Sequence, residues 1–376
     1  MSVSFFNNIK IVGIKTVVPE HFVEIDDEIQ FFGGSLKKLE RAKKMMGYGR
    51  RYLADLDTTV TDLCVFAAEK LFEETKYRRQ DIDLLIFVNQ KPDYREPCDA
   101  CIAHGLLELK KDCPAIDILQ GCSGYVYGLW LAHSMMMSGV AKKCLLLAGD
   151  IASYGITPDN RKLAQLFGDA ASATLLEYTD EERSAVFSMG SDGGQWDKIV
   201  TPFGGIRLVP EKNDYFLKAQ DDAGNIWTYK QPMMKGEDVF NFTLEVAPKI
   251  IRDVLDASRN TIDTVDYFAI HQANKQIVDA VAERVGVCKE KASSETFSKY
   301  ANNSTNSVVT VLCDQLLGKN VRNVVLCAFG IGLSWGCCLL NMQGMYNGGI
   351  SLYKPTKKKV PREEQINHWI KYFKGE

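Results

Sequence analysis

The 376-residue chain has no low-complexity segment and no proline-rich linker; its 11 prolines are scattered. With no compositional seam at which to cut it, it reads as one large or two fused domains, with a core big enough to need neither disulfide nor metal. Neither sign of charge is in excess. The 45 Lys and Arg stand against 48 Asp and Glu, a formal net charge of -3, which removes the electrostatic case for nucleic acid as the main partner. The opening residues, MSVSFFNN, carry neither a basic start nor a long apolar run, so no secretory signal is expected. Nor does any unbroken apolar stretch reach membrane length. Residues 324–340 come nearest, but Gly330, Gly332, Ser334 and Gly336 interrupt them. They read as two short buried strands joined by a glycine-rich turn, not as a membrane span. Histidine is scarce, five residues in all, so any histidine chemistry must fall on very few positions.

Cysteine, by contrast, is plentiful, at 11 residues. Cys64, Cys144, Cys313, Cys327, Cys337 and Cys338 sit inside apolar runs. That is the setting of buried free thiols, and a cytoplasmic location is expected from it. Cys98 and Cys101 form Cys-Asp-Ala-Cys, but no second pair lies nearby. A structural role is therefore expected for them, and no metal site.

Along the chain a unit of strand, turn and helix recurs. Residues 81–90 (DIDLLIFVNQ), 115–119 (AIDIL) and 143–149 (KCLLLAG) are apolar runs with polar borders, which predicts buried strands; 125–137 predicts a long apolar helix. The second half offers a strand at 265–270 (VDYFAI), helices at 274–285 and 307–317, and a strand at 323–328. Alternation of this kind predicts parallel sheets covered by helices. The two halves look duplicated, with a boundary near Glu182. The expected units are 1–182, 183–345 and a C-terminal extension, 346–376. In the extension Lys357, Lys358 and Lys359 precede an amphipathic stretch ending in Trp369 and Phe373, which reads as a helix docking on its own domain.

Cys122 stands apart from the other thiols. It follows a predicted strand and opens a predicted helix, between Gly121 and Gly124. A helix N-terminus offers free N–H groups and a positive dipole end, so a lowered thiol pKa and an oxyanion site are both expected there. The helix behind it is apolar nearly all round, which implies a buried nucleophile at the end of a narrow, dry tunnel. His271 comes directly after the strand at 265–270, at the end that faces the usual crevice of α/β folds. Asn302 lies in a polar cluster, YANNSTNS, that by itself reads as a cap and turn. Together an imidazole and an amide can hydrogen-bond a thioester carbonyl as it becomes an enolate.

With these residues placed, the sequence resembles the ketoacyl-acyl-carrier-protein synthase III group of the thiolase superfamily, up to about residue 345. The matching pieces are Gly-Cys122-Ser-Gly, Phe167-Gly168-Asp169, His271-Gln-Ala-Asn, Tyr300-Ala-Asn302 and the run from Ala328 to Gly336. The resemblance implies an α/β, five-layered αβαβα thiolase-like fold in two duplicated halves, and a homodimer. It implies that acyl-CoA, as a substrate and not a cofactor, primes Cys122. His271 and Asn302 then hold a second thioester, such as a malonyl-acyl-carrier protein, while its carbanion attacks the acyl-cysteine. Backbone N–H groups of Cys122 and Ile331 would form the oxyanion hole, and Asn274 and Arg161 occupy positions that contact CoA in relatives. A cysteine thioester splits one difficult condensation into two easier steps.

The sequence also departs from that group. Arg41 falls where the bacterial housekeeping enzymes stack a tryptophan on CoA. Asn241 and Gln276 stand at their basic carrier-docking positions, and Ile331 replaces a glycine. Glu96, in Asp-Tyr-Arg-Glu-Pro, falls near an aromatic that floors the acyl pocket across the dimer. The motif is similar to that of enzymes condensing two acyl chains head to head, where a desolvated glutamate would remove the α-proton as base. Three rivals have less support. A papain-like hydrolase shares the Cys, His, Asn order but not the local signature. Acyl transfer to an amine or hydroxyl would make less use of Asn302, and a non-catalytic partner subunit would have little need of Cys122.

Overall fold

The computed structural model describes residues 3–214, 217–220, 224–355 and 362–374. Most of the predicted runs become the elements expected of them. The apolar stretch near residue 85 forms the strand Leu84–Asn89, every residue buried, and its neighbours are Ala115–Leu119 and Lys143–Asp150. The second half supplies Tyr267–Ile270 and Asn323–Gly330. Residues 324–340 fold as the predicted pair of strands: Asn323–Gly330 runs antiparallel to Ser334–Asn341 through a three-residue turn. Among the described residues no helix is long and apolar enough to cross a membrane.

Two sheets carry the fold. In one the strands lie in the order Tyr346–Leu352, Ile9–Val18, Ala170–Tyr178, Lys143–Asp150, Leu84–Asn89, Ala115–Leu119; in the other, Val3–Phe6, Ala185–Ser191, Ser334–Asn341, Asn323–Gly330, Tyr267–Ile270. Leaving aside the outermost strands Tyr346–Leu352 and Val3–Phe6, the same spatial order recurs in both. The second sheet is one strand short, at the place where Asn302 makes only an isolated bridge to Phe167.

Neither sheet is wholly parallel, which corrects the expectation from strand and helix alternation. Lys143–Asp150 and Ala170–Tyr178 are antiparallel, because the segment between them holds no crossover helix and a parallel return requires one. The ends of the chain also trade places. Val3–Phe6 pairs in the second sheet, while Tyr346–Leu352, inside the presumed extension, lies parallel to Ile9–Val18 in the first.

Five layers follow from what each sheet must cover. The helices Gly124–Met137 and Ser307–Gln315 lie between the sheets, in one cluster with residues of both. Val60–Thr75 and Asp99–Leu106 cover the outer face of the first sheet. Gly236–Ser258 and Lys275–Val285 cover that of the second. The tail forms a helix, Arg362–Lys374. It touches the body through Trp369, edge-on to Tyr94 at 6.0 Å, yet Ile366, Ile370 and Phe373 stay exposed, so the expected docking is slight. Lys357, Lys358 and Lys359 lie outside the described residues.

Candidate active site

The turn between Ala115–Leu119 and the sandwiched helix is built for close approach. A Cβ on Gly124 would meet Val88 Cγ1 at 2.7 Å, and one on Gly121 would meet the side chain of Ile331 at 2.3 Å. Thr305 donates its hydroxyl to the carbonyls of Gln120 and Gly121, at 3.0 and 2.9 Å, and so ties this turn to the segment that follows Asn302. Ser123 and Gln120 both bond Ser334 Oγ, which holds the turn against the hairpin containing Ile331. Gly330 completes the fit. A Cβ there would stand 3.0 Å from Cys122 Sγ and 2.8 Å from its Cβ, so only glycine leaves room for the nucleophile.

Cys122 keeps part of its surface open to a cavity of about 1200 Å³, which it shares with His271, Asn302, Asn274 and Ile331. Phe203, Phe240, Leu166 and Phe329 contribute apolar wall, as expected for a site that takes an acyl chain. The expected lowering of the thiol pKa is not found. Burial pushes it up to about 11, and the buried carboxylate of Asp150 adds to the rise. The nearby Ser304 hydroxyl and the backbone N–H groups of Ile331 and Cys122 pull the other way and offset this only in part. A sulfur that has lost its water holds a charge poorly, whatever the helix behind it offers.

His271 is held by its backbone, whose N–H donates to Cys327 O at 2.8 Å. Gln272 then pins the loop: its amide donates to the carbonyls of Ile270 and Ser293 and accepts from Phe297 N–H. The imidazole is buried, edge-on to Phe329, and its Nδ1 has no hydrogen-bond partner among the described residues. Burial lowers its pKa to about 3, so the ring is neutral at ordinary pH.

Asn302 sits between two strained residues, Ala301 at φ 59° and Ser304 at φ 49°, in the left-handed region that non-glycine residues avoid. Its Oδ1 accepts from Ser304 N–H at 2.9 Å, which leaves Nδ2 as the free donor. Its backbone is clamped to the Phe167-Gly168 segment: Asn302 N–H donates to Leu166 O and Gly168 N–H to Asn302 O. That clamp, with Asp169 accepting from the N–H groups of Ala54 and Ser153, is what the predicted Phe-Gly-Asp motif does.

The remaining candidates fall less centrally. Asn274 lines the cavity, but its Oδ1 caps the helix Lys275–Val285 by accepting from Ile277 N–H at 2.9 Å. Arg161 is exposed and is not in the cavity wall, whereas its neighbour Lys162 is. Glu96 is exposed and lies outside the cavity of its own chain. Within a single chain its loop stands at the surface, so the burial expected of it would have to come from a second copy. Cys98 and Cys101 face one another with sulfurs 3.4 Å apart; among the described residues no group of three metal-ligating side chains occurs. Sequence reading passed over Asp150, Ser304 and Lys91. Asp150 ends a strand at the crevice, which was a usable signal; Ser304 was hidden in a polar cluster that reads as a turn.

The sequence profile for 3-oxoacyl-[acyl-carrier-protein (ACP)] synthase III matches residues 116–193, and that of its C-terminal region matches 255–342. A Campylobacter jejuni chain provisionally named 3-oxoacyl-[acyl-carrier-protein] synthase 3 is 38% identical over 357 residues, covering 94% of this chain and 99% of the relative. The beta-ketoacyl-[acyl-carrier-protein] synthase III of Clostridium perfringens is 31% identical over 339 residues, 89% of this chain and 99% of its own. Among solved structures, a 3-oxoacyl-(acyl-carrier protein) synthase from Burkholderia xenovorans superposes with a TM-score of 0.85 at 31% identity, covering 94% of this chain and 99% of that one.

Proposed function

The chain belongs to the 3-oxoacyl-[acyl-carrier-protein] synthase III family of condensing enzymes, and on that premise we propose that it takes an acyl group from acyl-CoA onto Cys122 and condenses it with a second thioester, such as a malonyl-acyl-carrier protein, to a β-ketoacyl product. The observation that carries this reading is the setting of one sulfur. Cys122 and Ile331, whose backbone N–H groups this reading uses, line one cavity together with a neutral imidazole and a free amide donor.

Each group then has a task. The two N–H groups stabilise the oxyanion formed when sulfur attacks the acyl carbonyl. His271, neutral, and Asn302, with Oδ1 already engaged, donate to the carbonyl of the second thioester as it gains enolate character. The apolar wall holds the acyl chain and excludes water, which would otherwise hydrolyse the acyl-cysteine. Asn274 keeps an amide N–H available to the CoA arm after capping its helix. Arg161 has a weaker case, since it lies outside the cavity wall, and Lys162 is better placed for the phosphates. A homodimer fits the free edge of Ala115–Leu119, where Leu119 is 70% exposed.

Intact-mass measurement after incubation with acyl-CoAs of different length tests the reading, beside Cys122→Ala. A gain of one acyl group in the parent protein alone supports it; no gain from any acyl-CoA or acyl-carrier protein overturns it. The second reading, head-to-head condensation without decarboxylation, requires Glu96 to be supplied by a second copy, which its exposed loop permits. Under that reading Glu96→Ala abolishes product formation from two simple acyl thioesters. An unchanged rate would remove it.

A further inference from the structure

The cysteine pair of the Cys-Asp-Ala-Cys motif has no part in the chemistry above. Cys98 is the N-cap of the helix Asp99–Leu106 and Cys101 lies in its first turn; their sulfurs stand 3.4 Å apart. Cys98 packs in part against the core under the outer helices, whereas Cys101 is exposed. An N-cap side chain ordinarily accepts from the N–H groups that open its helix. Cys98 makes no such bond, because a neighbouring strand serves those groups. Asp117, in Ala115–Leu119, accepts from Asp99 N–H at 2.9 Å and from Ala100 N–H at 2.7 Å. The fully buried Asp99 carboxylate accepts in turn from Asp93 N–H at 3.1 Å and from the Asn89 amide. The two residues between the cysteines are thus fastened on both sides, and Cys101 N–H closes the turn on Cys98 O at 3.1 Å. None of these bonds uses a thiol. The sulfurs are held face to face by a backbone that they do not themselves support.

We propose that Cys98 and Cys101 form a reversible dithiol–disulfide site whose oxidant is a small-molecule disulfide of the glutathione class. One protein thiol, as its thiolate, attacks a sulfur of the oxidant. An S–S bond to the protein forms, the S–S bond of the oxidant breaks, and one small thiol leaves. The second protein thiol attacks the mixed disulfide and expels the other small thiol. In sum, two protein thiols are oxidised to one disulfide, the oxidant is reduced to two thiols, and both protons end on the departing thiols. Closure asks little of the structure. The sulfurs need to approach by roughly 1.4 Å more to reach the length of about 2.05 Å of a disulfide, which side-chain rotation supplies without moving the fastened backbone.

The other thiols lack one requirement or another. Cys327 and Cys337 are register partners on two paired strands, but both are fully buried, out of reach of an oxidant. Cys288 is exposed, but the next cysteine along the chain, Cys313, is buried. Among the described residues Cys98 and Cys101 alone combine sulfur contact with access to solvent, the two conditions for exchange with a small disulfide. Neither lines the cavity that holds Cys122, so the site stands apart from acylation and does not rest on the functional reading above.

The test is incubation of the native protein with glutathione disulfide, then acid quench and mass measurement of the peptides that hold the pair and Cys288. In the parent protein the pair should lose about 2 Da, the two hydrogens of ring closure, and keep no adduct, while the lone Cys288 takes up one glutathione. Cys98→Ser and Cys101→Ser each remove the resolving thiol, so the cysteine that remains should carry a lasting glutathione adduct. Reduced glutathione in rising excess should strip Cys288 before it reopens the pair, because closure within one turn is intramolecular. Dithiothreitol should restore both thiols. A pair that stays reduced in the native protein, while the same chain oxidises in urea, would overturn the proposal. So would a lasting adduct on the parent pair, since it means that the second thiol cannot reach the first.

Discussion

At the scale of single residues the site depends on space as much as on functional groups. Gly330→Ala puts a methyl group 3.0 Å from the Cys122 sulfur and 2.8 Å from its Cβ, at a φ of 157° that alanine rarely adopts, and it should abolish acylation at some cost in stability; intact mass and thermal unfolding read the two effects separately. His271→Ala should still accept an acyl group but lose condensation by about 10²-fold or more, the scale seen when one oxyanion donor is removed. Equal loss of both half-reactions would refute the division of labour. His133, buried beside Phe6 and Phe187, shows the cost of burying an imidazole: its pKa falls to about 4. The unfolded chain binds a proton at this histidine below about pH 6.5 and the folded chain does not, so its contribution to stability falls as pH drops through that window. Burial of Asp99 acts in the opposite sense, raising its pKa to about 7, and masks the effect in the parent protein. His133→Gln isolates it: between about pH 6.5 and 5 the stability difference from the parent should shift by roughly 1.5 kcal/mol in favour of the variant, measured by urea unfolding.

At the scale of elements, the sandwiched helix Gly124–Met137 is both core and support for the nucleophile. Its apolar surface is buried on either side, by Leu146 and Val88 against Gly128 and by the cluster around Leu129 and Met136. Leu129→Ala should cost about 2–5 kcal/mol, as large-to-small changes in a rigid core do. Asn274 raises a different question, because one side chain serves the helix Lys275–Val285 and faces the cavity. Asn274→Asp keeps a cap oxygen but removes the amide donor, so it should preserve stability and raise the KM for acyl-CoA. Asn274→Ala should do that and also cost about 1 kcal/mol, the usual price of a lost cap. These helices were legible from apolar spacing, since a segment buried on one or all sides must repeat at the period of its element. The antiparallel returns were not, because strand direction follows from what connects two strands and not from the strands themselves.

At the scale of the whole molecule, the chain ends divide the C-terminal extension in two. Tyr346–Leu352 is an edge strand of the first sheet, whereas Arg362–Lys374 leaves most of its apolar side chains in solvent. Truncation after residue 355 should leave the unfolding midpoint nearly unchanged, and truncation after 345 should destabilise by several kcal/mol as a ladder and its packing are lost. Composition, patterning and five short motifs, read without coordinates, settled the layered α/β class, the buried thiols and the cavity-lining Cys122, His271 and Asn302. The buried thiols and the Cys122 turn are local facts, written in spacing and in glycines; the layering and the choice of His271 and Asn302 came from the resemblance that the motifs carry. Folding alone decided the rest. The Cys122 pKa rises because burial, a property of the whole core, outweighs the local helix end. Glu96 is exposed within its own chain, on a loop outside the cavity wall. Asp150 and Thr305, 155 residues apart, meet only because two sheets pack across a shared pair of helices, and no spacing in the chain encodes that meeting.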